Sequence, residues 1–146
     1  MYLNEWEWGE HMALKLSKYV TGTFSKLFNN HTNIDLDKKL TVFSIRDIED
    51  ALKVPAMFNV LNYIWTKVRA KKRKRLLVID EAWIMMQQKV AASFLYQLIK
   101  RARKYGLGVS TITQDVEDFV NSEYGKPIVS NSSLQILLKQ STASIK

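Results

Sequence analysis

The chain of 146 residues has no cysteine and only two histidines, His11 and His31. The missing thiols exclude disulfide frameworks, thiolate zinc sites and cysteine nucleophiles, and two imidazoles cannot furnish a multi-histidine metal centre. That composition fits a reducing, cytoplasmic setting. Glycine is scarce as well. Gly9, Gly22, Gly106, Gly108 and Gly125 are the only ones, and none falls in a G-x-x-x-x-G-K-S/T or G-x-G-x-x-G frame, so the sequence carries no phosphate-cradling loop. No apolar run approaches the roughly 18 residues that cross a bilayer, and the acidic, Trp-bearing start MYLNEWEWGEH is no signal peptide; a soluble chain is expected. Acids are in deficit: 22 Lys and Arg face 14 Asp and Glu, and the formal charge of +8 favours acidic partners such as nucleic acid, nucleotides or anionic lipid.

What is present suffices for one compact core, with 47% hydrophobic and 25% charged residues. Residues 1–12, with Trp6 and Trp8 among acids and a His11-Met12 pair, read as a leader left by cloning, and the folded domain is expected over 13–146. Leu14, Leu16, Tyr19, Val20 and Phe24 predict a short helix from Ala13, followed by a polar loop over Asn29–Asn33. Leu40, Val42, Phe43 and Ile45 predict a first strand, and apolar residues at helical spacing after Pro55 predict a helix over Ala56–Ala70. Leu76, Leu77, Val78 and Ile79 form an unbroken apolar run, the pattern of a strand buried on both faces. A helix over Val90–Tyr105 should end at Gly106. Beyond it come a strand over Gly108–Thr113, a short helical piece over Val116–Val120 and a fourth strand over Leu134–Lys139. Strands alternating with helices imply an α/β fold, a mainly parallel sheet flanked by helices.

In such sheets ligands bind beyond the carboxyl ends of the strands. There, LLVI is followed by Asp80-Glu81, and the next strand by Thr113-Gln114-Asp115. Four apolar residues ending in two carboxylates have the form of a Walker B element, in which the Asp reaches a magnesium-bound water and the Glu deprotonates an attacking water. The same pair could simply cap the next helix, and Gln114 tips the balance as a polar amide placed where a γ-phosphate is sensed. Arg101, Arg103 and Lys104 close the second long helix, either as a solvated, dipole-favoured end or as an arginine finger toward a neighbouring subunit. The basic run Arg69–Arg75 reads as a solvated turn, the commoner origin of such runs, or as a contact to DNA phosphates. Trp65 and Trp83 are expected in core packing. Ser132-Ser133 lack His and Asp partners for hydrolase chemistry.

Taken in order, LLVIDEAW at 76–83, IKRARKYGLGVSTITQDVEDF at 99–119 and VSNSSLQILLKQ at 129–140 resemble the ATPases of type IV secretion and conjugative DNA transfer, of the HerA/FtsK group of RecA-like P-loop NTPases; FNNHTNIDLDKKLTVFSIRDI at 28–48 resembles the segment preceding Walker B. The resemblance implies Asp80 as the magnesium-associated acid, through water, and Glu81 as the catalytic base. It implies Gln114 as the sensor, Arg101 and Arg103 as candidate fingers, and Lys104 and Asn131 on the nucleotide side. Its cofactors are ATP and Mg2+. It also implies a ring, a hexamer in this group, working with other secretion-channel components at the cytoplasmic face of the membrane, with direct DNA contact left open. Because the Walker A loop is missing, the chain looks like the C-terminal part of the motor domain and is expected to be inactive in isolation. A DNA-pumping translocase and a non-catalytic basic binding module are the competing readings.

Overall fold

The computed structural model describes residues 7–31, 34–35, 37–114 and 116–139. It divides into two compact units, one up to Lys38 and one from Lys39 onward. In the first unit, α1 (Glu7–Val20) and α2 (Ser25–Phe28) form a small helical pair. Tyr19 packs edge-on against Phe28 with ring centroids 5.3 Å apart, and tilted against Phe24 at 5.8 Å. The helix expected from Ala13 thus begins earlier, at Glu7, and its apolar residues close on the following turn. Of the polar loop, Thr32 and Asn33 lie outside the described residues.

The second unit is built around two parallel strands, β1 (Arg75–Ile79) and β2 (Leu107–Thr111), paired from Arg75 with Leu107 to Ile79 with Thr111. Helix α3 (Asp50–Ala70) precedes β1, while α4 (Trp83–Met86) and α5 (Lys89–Ala102) form the crossover to β2. α6 (Val116–Val120) and α7 (Gly125–Asn131) follow. This arrangement confirms the α/β class and the parallel pairing. The crossover helix owes its position to Ala91, Ala92, Leu95, Leu98 and Ala102, all buried at helical spacing. Each fully buried Leu contributes about 1.5–3 kcal/mol relative to exposure. One cluster gathers Val54, Met57, Leu61, Leu95 and Ile128 around Ile79, Ala82 and Met85, below the carboxyl end of β1. A second joins Trp65, Val68, Leu98 and Ala102 to Leu107, where β2 begins. Phe58 on Phe94, centroids 4.8 Å apart, ties α3 to α5.

Gly106 ends the crossover as expected. α5 tightens into a 3-10 turn over Arg103–Tyr105, and Gly106 takes a left-handed φ of 70°. Its α-carbon faces the Arg73 carbonyl so closely that an added Cβ would stand 3.2 Å from that oxygen.

Four expectations are corrected. Residues 40–45 are not a strand: Thr41, Phe43 and Ile45 are half-buried and alternate with exposed neighbours, so the pleat is there, but β1 and β2 pair with each other and no ladder forms at this segment. Leu134–Lys139 is not a strand either. Leu134, Ile136, Leu137 and Leu138 are 73–78% exposed, because no packing surface in the described chain takes them up. β1 is buried on one face rather than two: Ile79 is buried, yet Leu76 is 72% and Val78 53% exposed, since both long helices cover the other side. Finally, α3 starts at Asp50, with Pro55 inside it. A proline there forfeits one backbone bond, but buried Leu52 and Val54 hold the preceding turn against the core. Among the described residues no helix is long and apolar enough to cross a membrane.

Candidate functional site

Parallel pairing puts the carboxyl ends of both strands at one edge, and the ladder runs slightly past the strands themselves. Ile112 donates its N–H to the Ile79 carbonyl (2.9 Å), and Ala82 donates to the Ile112 carbonyl (2.9 Å). Asp80-Glu81-Ala82 is thereby clamped beside Ile112-Thr113-Gln114. Ala82 is fully buried and anchors the turn from below.

Within that turn Glu81 has φ of 52°, the only non-glycine left-handed residue among those described. A glutamate there costs roughly 1–3 kcal/mol, so the surrounding bonds must over-determine it. They do. The Glu81 N–H donates to Asp80 Oδ1 at 3.0 Å, Glu81 Oε1 accepts from Gln114 Nε2 at 2.5 Å, and Glu81 Oε2 accepts from Trp83 Nε1. Asp80 is exposed at the tip. The structure therefore brings together three of the residues singled out in the sequence, Asp80, Glu81 and Gln114. It adds Trp83, which sequence reasoning assigned to the core. Trp83 is half-buried and packs against the core cluster, but its polar edge turns to the carboxylate. Its spacing of two from Glu81, at the start of a helix, was the available signal.

The other candidates lie elsewhere. Arg101 is in the last turn of α5 and Arg103 and Lys104 are in the 3-10 turn that leads into β2, so they stand at the amino edge of the sheet, opposite Glu81. All three are exposed. Arg69–Arg75, which leads into β1, reaches the same edge: Arg75 donates its N–H to the Gly106 carbonyl at 3.0 Å. Asn131 ends α7, and its amide donates to the Pro127 carbonyl at 2.7 Å, within its own helix and apart from the Glu81 network.

The exposed Asp80 carboxylate suits a hard cation that keeps most of its waters, as Mg2+ does, while both Glu81 oxygens are engaged by Trp83 and Gln114. Among the described residues no cluster of three His, Cys, Asp or Glu could cage a metal, so any ion here would draw its remaining ligands from water and phosphate. No glycine-rich phosphate cradle occurs in the sequence, so these residues fit the metal and the attacking water but supply little for the phosphates.

Comparison with known proteins bears on the family and the fold. The chain is similar to the type IV secretion system protein VirB4 of Bartonella quintana, 24% identical over 141 residues that make up 94% of this chain and 18% of that protein. VirB4 of Bartonella henselae matches to the same extent. The structure of VirB4 of Thermoanaerobacter pseudethanolicus superposes with a TM-score of 0.83 at 31% identity, covering 94% of this chain and 39% of that one. The chain thus spans well under half the length of each of these relatives. The family model of the TraG P-loop domain matches residues 5–146, essentially the whole sequence, and the chain belongs to that family.

Proposed function

We propose that these residues form the C-terminal, water-activating part of an ATP-hydrolysing motor that drives type IV secretion or conjugative transfer. The observation that carries this reading is the Glu81 carboxylate held by Gln114 at the tips of two adjacent parallel strands. Bound Mg-ATP would supply the electrophilic γ-phosphorus. Asp80 would hold the ion, which would screen the phosphate charge, and Glu81 takes the proton of the attacking water. Gln114 orients that water and registers the γ-phosphate through its amide. Arg101, Arg103 and Lys104, at the opposite edge, act on a nucleotide held by the next subunit of a ring, a hexamer in this reading, and Asn131, at the end of α7, contributes to nucleotide contact. The parent protein works at the cytoplasmic face of the membrane with other channel components. By itself, without a phosphate loop, this chain binds Mg-ATP poorly and does not turn it over.

In the full-length protein, Glu81→Gln keeps nucleotide binding and lowers steady-state hydrolysis by roughly 10² to 10⁴-fold, the contribution of a general base. Near-normal turnover in that variant, with Asp80 intact, removes Glu81 from the role and leaves the non-catalytic binding module as the better account. One observation favours a second reading, a DNA-pumping translocase of the same superfamily: the basic run Arg69–Arg75 and the exposed Arg101, Arg103 and Lys104 lie at the same edge of the sheet. Strong stimulation of hydrolysis by DNA selects it.

A further inference from the structure

The Glu81 carboxylate has two donors, and they differ in how they are held. Gln114 is exposed on the segment beyond β2. Trp83 opens α4, is half-buried, and is flanked by Ala82 and Met85, both at 0% exposure. Its ring packs on the cluster that contains Ile79 and Met85, so its N–H is fixed relative to the strand tip. An indole only donates; it can hold a carboxylate but can neither take the proton nor offer an oxygen to the water. Gln114, with one N–H on Glu81, keeps a carbonyl oxygen for that water and a second N–H for an anion. Glu81 takes its left-handed φ of 52° in the turn before α4, and its carboxylate meets the indole there.

We infer that Trp83 is a positioning residue: its indole N–H holds Glu81 Oε2, so that Oε1 alone is shared between Gln114 and the attacking water. The inference rests on the reading of Glu81 as general base, and its test separates the two. In the 146-residue chain, the Trp83 indole N–H resonance moves upfield when Glu81 is replaced by Ala, while that of Trp65 stays in place; an unchanged Trp83 resonance overturns the contact itself. In the full-length protein, Trp83→Phe keeps the ring and loses the donor, and kcat falls about ten-fold or more, the worth of one hydrogen bond to a charged group, with KM unchanged. Adding Trp83→Phe to Glu81→Gln lowers kcat no further. Wild-type kcat in Trp83→Phe, or a penalty that persists undiminished on the Glu81→Gln background, overturns the positioning role. Full turnover in Glu81→Gln alone instead overturns the general-base reading beneath it.

Discussion

The two edges of the β1–β2 sheet are separated by one strand length, about 13 Å at 3.3 Å per residue, and they are built on opposite plans. Between Ala51 and Gln114 the only acids are Asp80 and Glu81, and both sit at the carboxyl edge. The cations of the same stretch concentrate at the amino edge, in Arg69–Arg75 and in Arg101, Arg103 and Lys104. The carboxyl edge works by geometry, with one strained residue, three directed hydrogen bonds and a buried alanine beneath them. The amino edge works by density of charge. Its directed contacts are local, such as Arg75 Nη1 on the Lys71 carbonyl at 2.7 Å and the Arg69 guanidinium 5.7 Å from the Trp65 ring centre. The proton transfer proposed for the carboxyl edge needs atoms fixed to fractions of an ångström, whereas the anion contact proposed for the amino edge gains from several cations. Parallel strands give this small sheet two chemically distinct ends.

Changes at the amino edge should give the largest effects if it serves a neighbour's nucleotide. Arg101→Ala or Arg103→Ala in the full-length protein is expected to lower ATPase activity on the order of 10³ to 10⁵-fold while the thermal transition stays in place, because a finger acts only in the transition state. Wild-type activity in both, with the ring assembled, reduces the cluster to a solvated helix end. A smaller effect sharpens how that edge is held in shape. Gly106→Ala forces a side chain into a left-handed backbone against the Arg73 carbonyl and is expected to destabilise the chain by about 1–2 kcal/mol in urea titration. The smallest effect lies remote from both edges. At the start of α3 the hydrogen bond from Lys53 to Asp50 (2.6 Å), and then the Lys53 charge, hold the Asp50 carboxyl below its ordinary value. The folded form is thus favoured above the ordinary carboxylate range, and the contribution disappears as pH falls through the lowered value. Both groups are solvent-accessible, so the effect is screened. Urea midpoints of wild type and Asp50→Asn should differ slightly at pH 7 and converge toward pH 2.

Much of this was legible in the sequence because its signals are local. Helical spacing gave α5, the glycine after it marked the stop, and carboxylates behind a β-rich run marked the strand tip. The segments that misled were those whose state depends on a partner. Residues 40–45 and 134–139 have strand-like composition, but a strand exists only beside another strand, and composition does not report the neighbour. The same holds for the exposed Leu76 and Val78, whose apolar character promised a second covering layer. Pro55 misled for another reason: the penalty for proline inside a helix is finite, and buried Leu52 and Val54 outweigh it. Trp83 was legible as a packing residue and not as a donor, because an indole can do both and only the folded turn shows the carboxylate at its N–H.

The central claim is that the two edges complete each other across a subunit boundary. Mixing full-length Glu81→Gln with full-length Arg101→Ala tests it most directly, since on that claim each variant alone would lack one half of every composite site. In mixed rings some interfaces pair an intact Glu81 with an intact Arg101, so the mixture should hydrolyse ATP several-fold faster than the sum of the two alone. Rings that form from both variants yet hydrolyse no faster than that sum would contradict the account.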